Sequence, residues 1–148
     1  MNAWKTSAGV MLFALVAGCA SPGRPADAAW TDPGQAVLLA AAQPNAGFTG
    51  TFTLTVQGAG RTSDVHLNSQ SDYRDPRNLS ITILPSTAAE LERKLGAPLE
   101  EALMGKHILV TGTALRTRVD FLVDGQPSGK YYYQTHVRVA NSWQIQVL

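Results

Sequence analysis

The feature that most constrains the fold is a strict alternation of residue types over Phe48–Val56. Threonine stands at every second position of this run, and the positions between hold Phe48, Gly50, Phe52, Leu54 and Val56. Successive side chains point to opposite faces in a β-strand, so the pattern predicts a strand with one face in a core and the other in solvent. Glycine among the apolar positions often marks a bend or bulge, and we therefore expect a strongly curved sheet.

Further β-rich runs follow along the chain. We expect strands over Asp64–Asn68, Leu79–Leu84, Lys106–Leu115, Arg118–Val123, Tyr131–Val139 and Trp143–Leu148. Gly-rich or polar segments separate them: Gln57–Arg61 reads as a turn, Ser69–Asn78 as a loop, and Asp124–Gly129 as the connection of a hairpin. The pattern indicates a mostly β domain.

Helix signals appear at two places. Thr87 and Glu90 have the spacing of a capping box, so we expect a short helix over Ala88–Leu95 that ends at Gly96, with another turn over Pro98–Met104. A second short helix is predicted over Pro33–Gln43, capped by Asp32. It has few polar residues, and we expect it to pack on the domain.

The first residues have the pattern of an export signal. Lys5 precedes a ten-residue apolar run, Ala8–Ala17. A run of this length is too short to span a bilayer, which takes about 20 apolar residues, but it suits the core of a signal peptide. The sequence predicts that residues 1–18 are a removable signal.

The only cysteine follows this run directly. Leu15–Cys19 (LVAGC) resembles the lipobox of bacterial lipoproteins, in which small residues precede the cysteine that receives lipid. The resemblance implies lipidation of Cys19, a lipidated tether over residues 19–46 and a domain over 47–148. Ala20 rather than Asp after the cysteine resembles the signal for the outer membrane, so we expect a lipid-anchored protein of the bacterial cell envelope, facing the periplasm.

Charge is balanced in this chain. Its 148 residues have a formal net charge of +1, and without Lys5 the counts of basic and acidic residues are both 11. Proteins that bind nucleic acid mainly through phosphates are usually clearly basic. The composition counts against strong nonspecific nucleic-acid binding.

Three stretches resemble small bacterial OB-fold domains. They are Val65–Ile83, Gly105–Thr113 and Asn141–Val147. The resemblance implies a five-stranded OB-fold-like barrel that is all-β apart from one short helix between strands three and four. The chain departs from the family between Arg116 and Tyr133, where an extra hairpin lies in the region between strands four and five.

The sequence predicts no catalytic site and no cofactor. There is no G-x-S-x-G motif, and His66, His107 and His136 fall inside predicted strands without metal-ligand spacing. Carboxylates on the predicted helix, such as Glu92 and Glu100, are typical of a solvated helix face.

Ligand binding is the favoured function. Aromatic rings with interleaved cations suit single-stranded nucleic acid, for which stacking contributes about 1–3 kcal/mol per base. The candidate residues lie in the loop before strand three and around the hairpin: Tyr73, Arg74, Arg77, Arg116, Arg118, Lys130, Tyr131 and Tyr133. Tyrosines at alternating positions are also typical of a barrel rim, and Arg74 has Asp72 and Asp75 nearby as partners.

Two functions remain open on the sequence. In the first, the barrel binds a single-stranded nucleic acid or an oligosaccharide. In the second, the chain is a structural or assembly protein that binds an envelope protein through the hairpin. A positive groove that joins Arg74, Arg116 and Lys130 favours the first function, and an exposed apolar hairpin favours the second.

Overall fold

The structure is a computed structural model that describes residues 30–148, so the predicted signal and Cys19 lie outside the described residues. Within 30–148 the chain forms seven strands and three α-helices. In chain order they are α1 (Pro33–Ala42), β1 (Phe48–Thr55), β2 (Gly58–Arg61), β3 (Val65–Asn68), β4 (Leu79–Ile83), α2 (Pro85–Leu95), α3 (Leu99–Ala102), β5 (His107–Val123), β6 (Gln126–Val139) and β7 (Ile145–Val147), with a 3-10 turn (Ser142–Gln144) before β7.

One curled sheet contains all seven strands. Its order is β1-β5-β6-β4-β3-β2, with β7 pairing with β5 as well, and all pairs are antiparallel except the parallel pair of β4 and β6. The first and last strands in this order are neighbours in the chain, separated only by Val56 and Gln57. The Val56 amide donates to the carbonyl of Lys106 and the Gln57 amide to that of Asn68, both at 2.9 Å. The chain from Phe48 to Arg61 therefore borders both ends of the sheet.

The core lies on the inner face of this sheet. Phe52 and Leu54 are buried there, as the alternation in β1 predicts, and Phe48 packs against the cluster. Alternate residues of the other strands complete it, among them Val65, Leu67, Leu79, Ile81, Ile83, Ile108, Val110, Val137 and Val139. Burying such side chains contributes about 1.5–3 kcal/mol each, so the inner face is the main source of stability.

Helix α1 belongs to this folded unit. The Asp32 side chain accepts a hydrogen bond from the Gln35 amide at 3.0 Å, which is the predicted N-cap. Ala36 and Ala40 are fully buried in the core cluster. The folded unit therefore begins upstream of Gly47, at which the sequence alone placed the start of the domain.

The prediction of one short helix and five strands needs correction. Residues 30–148 contain three α-helices, and the segment Gln57–Arg61, expected as a turn, contributes β2, which pairs with β3. The two runs on either side of Arg116 are one continuous strand, β5. The closing strand is shorter than expected, because Trp143 lies in the 3-10 turn and is 73% exposed.

Capping of α2 also differs from the prediction. The N-cap is Leu84, and the helix begins at Pro85. The Thr87 hydroxyl donates instead to the carbonyl of Ala140 at 2.7 Å, which fixes the helix to the end of β6. The C-terminal end at Gly96 is as predicted. No helix within the described part of the chain is long and apolar enough to cross a membrane.

Candidate ligand-binding cleft

Polar side chains cover the outer face of β3, β4 and β6. They alternate with the core residues of the same strands, so His66, Ser80 and His136 point away from the core. This face forms the floor of a cleft of about 670 Å³, which we call the outer cleft. Its lining comprises Gly58, Ala59, Gly60, Arg61, Thr62, His66, Asn68, Ser71, Tyr73, Ser80, Val119, Tyr132, Gln134 and His136.

A chain of hydrogen bonds crosses the floor of the outer cleft. The Thr82 hydroxyl lies 2.9 Å from Nδ1 of His136 and 3.4 Å from Nδ1 of His66. On the other side of the ring, Nε2 of His136 lies 2.7 Å from Oε1 of Gln134. The Gln134 amide nitrogen then donates to the Tyr132 hydroxyl at 2.8 Å. These bonds fix the side chains in one arrangement before any ligand arrives.

Within the floor, the neutral form of His136 is favoured. Burial, and secondarily the neighbouring His66, lower the pKa of His136 below its usual value of 6.5. Since the amide oxygen of Gln134 accepts from Nε2, the neutral ring has its proton there, and Nδ1 accepts from the Thr82 hydroxyl. His136 therefore serves as a neutral hydrogen-bonding group.

Asn78 organises the loop that carries Tyr73 over the cleft. Its Oδ1 accepts from the Gln70 amide at 3.1 Å, and its Nδ2 donates to Oδ1 of Asn68 at 3.0 Å and to the carbonyl of Tyr73 at 3.3 Å. Asn78 is 3% exposed, whereas the Tyr73 side chain is half in solvent. The loop is thereby attached to β3 and presents an aromatic ring at the rim.

Arg61, the charged residue of the cleft lining, is compensated by two carboxylates. Its Nε and Nη2 donate to the two oxygens of Glu100 at 2.7 and 2.8 Å, and Nη2 also donates to Glu92. The same bonds lower the pKa of Glu100. The two glutamates, expected on a solvated helix face, instead connect α2 and α3 to β2. Arg61 consequently brings little free positive charge to the cleft.

The predicted loop arginines are also paired. Asp72 accepts from the Arg74 amide at 2.9 Å, and Asp75 accepts from the Arg77 amide at 2.8 Å, each as an Asx-type turn. The guanidinium of each arginine binds the same carboxylate, and the hydrogen bond from Arg77 lowers the pKa of Asp75 to about 2.

Two arginine–tyrosine stacks lie along the hairpin of β5 and β6. The Arg116 guanidinium is 3.7 Å from the ring centroid of Tyr133, and that of Arg118 is 4.1 Å from the centroid of Tyr131. Such contacts contribute about 0.5–1 kcal/mol at exposed sites. Arg118 additionally pairs with Asp120 at 2.6 Å. The face that carries these stacks is opposite to the one that lines the outer cleft.

A second cleft, of about 460 Å³, lies between α1, the loop and the base of the hairpin. It brings together three of the predicted residues, Arg74, Arg116 and Tyr133, beside Val37 and Pro76. Tyr73 lines the outer cleft, and the remaining four, Arg77, Arg118, Lys130 and Tyr131, line neither cleft. Lys130 is absent from both linings, so neither of these two clefts joins Arg74 and Arg116 to Lys130.

The residues missed by sequence reasoning are the polar ones of the cleft floor. Asn68, Ser80 and Gln134 are ordinary polar positions of alternating strands, and only the curvature of the sheet brings them together. The polar half of each alternation was the available signal. Among residues 30–148, no three or more histidine, cysteine, aspartate or glutamate side chains are grouped to hold a metal ion.

This chain has little similarity to known proteins in sequence or in structure. No protein-family model matches the chain, and no curated protein is significantly similar to it. Among solved structures, aspartyl tRNA synthetase from Entamoeba histolytica is similar at 15% identity and a TM-score of 0.44. The alignment covers 96% of this chain and 25% of that chain, so this chain spans about a quarter of the synthetase. A likeness at this level supports no statement about function.

Proposed function

We propose that this chain is a lipid-anchored envelope protein with a non-catalytic OB-type barrel, and that its outer cleft binds an oligosaccharide. The order of elements supports the barrel: three strand regions, then helices, then two long strands, with the first region bordering both ends of the sheet. OB-folds bind oligonucleotides and oligosaccharides across this face of the sheet and its adjoining loops.

The chemistry of the outer cleft is the observation that supports an oligosaccharide as the ligand. Its lining combines the Tyr73 and Tyr132 rings with neutral hydrogen-bonding groups of Asn68, Gln134 and His136. A volume of about 670 Å³ is within the range of about 300–1,000 Å³ typical of ligand sites. Apolar surfaces with a few fixed donors and acceptors suit a polar, uncharged ligand such as a sugar chain.

Charge argues against a polyanion in the same place. Each phosphate contact needs a cation that is free to replace a counterion. Arg61 is held by two glutamates, while Arg74, Arg77 and Arg118 are each paired with an aspartate two residues away. Nucleic acid, the first ligand considered from the sequence, would meet Arg61 in this cleft, which is already held by two glutamates. Arg116 and Lys130 form no ion pair among residues 30–148, but neither lines the outer cleft.

A titration with three matched probes tests the proposal. The purified protein is titrated by calorimetry with a linear hexasaccharide of N-acetylglucosamine, a linear glucan hexasaccharide and a single-stranded oligothymidine, at low and at moderate salt. We expect saccharide binding that is insensitive to salt. If only oligothymidine binds, with a steep salt dependence, the ligand is nucleic acid and not an oligosaccharide. If none of the three probes binds, both ligands are refuted.

A pair of tyrosine variants assigns the site. Tyr73→Ala removes an exposed ring from the outer cleft, and Tyr131→Ala removes a ring of similar exposure from the other face of the hairpin. We expect Tyr73→Ala to weaken saccharide binding by about fivefold to tenfold, since an aromatic contact is worth about 0.5–1.5 kcal/mol beyond its buried area. If both changes weaken saccharide binding equally, the outer cleft is ruled out as the binding site.

The anchor is a separate part of the proposal. A signal over residues 1–18 and lipid on Cys19 would hold the domain at the outer membrane, facing the periplasm. Several acyl chains are needed for firm attachment, because each buried CH₂ contributes about 0.8 kcal/mol. This placement would bring the cleft close to the saccharides of the cell envelope.

A further inference from the structure

The hairpin of β5 and β6 extends beyond the rest of the sheet. Pairing between β1 and β5 ends at Ala114, whereas pairing between β5 and β6 continues to Val123. Its register shifts between Asp120, which pairs with Tyr131, and Leu122, which pairs with Pro127, so the extra residues of this irregularity lie on β6 and not on β5. Within residues 30–148, no strand pairs with the second edge of β5 from Leu115 to Val123. This edge presents unpaired amide and carbonyl groups, which is the geometry that another strand can extend.

Apolar side chains accompany the free edge. Leu115, Phe121, Leu122 and Val123 are between 41% and 63% exposed. Long edge strands with exposed apolar residues are typical association sites. The hairpin therefore presents both the backbone and the side-chain features of an interface.

The charges on β5 identify a second copy of this chain as the occupant. Arg118 and Asp120 flank Val119 symmetrically. When two such strands pair antiparallel about a two-fold axis at Val119, Arg118 of each copy faces Asp120 of the other. In the same register Leu115 faces Val123, so apolar residues also meet.

The other edge of the hairpin lacks this complementarity. Between Gln126 and Gln134, Lys130 is the charged residue, and Pro127 has no amide to donate. Self-pairing along β6 would therefore leave Lys130 without an acidic partner. The pattern of charge selects the β5 edge.

We propose that two copies of this chain associate through the β5 edges from Leu115 to Val123, in an antiparallel register centred on Val119, to form a continuous four-stranded ribbon. Within one copy Arg118 already pairs with Asp120 at 2.6 Å. In the dimer each Arg118 therefore lies between its own Asp120 and Asp120 of the other copy, and this alternation of charge determines the register. This inference rests on the hairpin alone and is independent of the ligand proposed for the outer cleft.

Charge reversal and its compensation test the register in the full chain. Sedimentation velocity over a concentration series should give a monomer–dimer equilibrium for the unchanged protein. Arg118→Asp places carboxylates opposite each other twice, and we expect the dissociation constant to rise by about tenfold or more, since each cross-strand pair is worth about 0.2–1 kcal/mol and like charges repel by similar amounts. Arg118→Asp combined with Asp120→Arg should restore the original constant. Arg77→Asp, the same charge change on the loop, should leave it unchanged.

A cross-linking experiment tests contact between the two β5 edges directly, without relying on charge changes that could also alter the structure of the hairpin. In the full chain with Cys19→Ser, Val119→Cys places one thiol at the axis in each copy, so oxidation should give a disulfide-linked dimer. Thr117→Cys is the matched control, because in this register its two thiols are displaced by four residues, about 14 Å, which is too far for a disulfide. All variants share residues 1–29, so association through that segment affects each pair equally.

Three results would overturn the proposal. One is a monomer at every concentration. Another is a dimer whose dissociation constant is unchanged by Arg118→Asp. The last is equal cross-linking at positions 117 and 119, which would indicate association without this register.

Discussion

Gly50 of β1 and Gly112 of β5 lie directly opposite each other in the sheet. A Cβ atom on Gly112 would lie 2.8 Å from Cγ1 of Val137, which is fully buried, and 3.4 Å from Nε2 of Gln144. Opposite it, the Phe48 ring covers Gly50 at 3.3 Å from its Cβ position. The two glycines therefore permit a close approach between strands at the point where the sheet curls.

Gly112→Ala should destabilise the protein. The added methyl group has to displace the Val137 side chain within a packed core, and overpacking of this kind costs about 1–3 kcal/mol. Urea unfolding measures the loss. Gly60→Ala is the control, since no heavy atom beyond its chain neighbours lies within 4 Å of a Cβ at that position, and it should change stability by less than about 1 kcal/mol. Equal losses for the two variants would contradict the close approach.

Asp32→Ala should reveal that α1 is part of the cooperative fold. The change removes the acceptor of the Gln35 amide, and loss of an N-cap costs about 0.5–2 kcal/mol. Because Ala36 and Ala40 of this helix are in the core, the loss should appear in the global unfolding midpoint. Asp32→Ser retains an acceptor and should have little effect. An unchanged midpoint for Asp32→Ala would mean that α1 unfolds separately.

The stability should depend on pH through His136. The pKa of this histidine is lowered in the folded state by burial and by His66, so the unfolded chain binds the proton more readily. The stability that neutral His136 contributes is fully present above the pKa of the unfolded chain, about 6.5. It decreases as the pH falls from there to the pKa of the folded protein, and it does not change further below that pKa. His136→Gln should reduce the slope of urea midpoint against pH below pH 6.5.

Asp75 should make the stability depend on pH in a separate, more acidic range. The pKa of Asp75 is lowered to about 2 by the hydrogen bonds from Arg77, so the stability that it contributes is present above its ordinary value of 3.8 and is lost as the pH falls toward 2. This loss should remain in the His136→Gln variant. A His136→Gln variant that keeps the full slope just below pH 6.5 would show that another group is responsible.

Cys19→Ser should abolish lipid labelling. The thiol of Cys19 is the predicted acceptor, and no other cysteine exists in the chain. Incorporation of a labelled fatty acid in a bacterial host measures the reaction, with Ser21→Ala as a neighbouring change that should leave it intact. Continued labelling of Cys19→Ser would exclude the lipobox interpretation.

Local patterns in the sequence predicted much of the fold. The alternation of β1 assigned Phe52 and Leu54 to the core, and Gly96 marked the end of α2. The position of the hairpin connection was also foreseen, but over Asp124–Gly129. The turn itself consists of Asp124 and Gly125, both with positive φ as a tight turn of this kind requires, and β6 already begins at Gln126. These features depend on residues close together in the chain, so the sequence was sufficient for them.

Other features were decided by contacts between distant segments. The segment Gly58–Arg61 has no alternation of apolar residues and is a strand because its backbone pairs with β3. Thr87 has the spacing of a helix cap, yet it donates to Ala140, more than fifty residues away. In both cases a hydrogen-bond partner supplied by tertiary structure outweighed a local preference.

Where apolar and polar residues alternate, as in β1, the sequence by itself determined the strand and the face that enters the core, because alternation depends only on near neighbours and on hydrophobicity. It did not determine β2, which has no such alternation. It also proposed the cations and rings of the candidate site, but not their pairing. Only the tertiary structure decided that Arg61 meets two glutamates and that Asn68, Gln134 and His136 share one floor. Curvature of the sheet brings these side chains together. This curvature results from packing across the whole core, so it cannot be determined from any single segment of the chain.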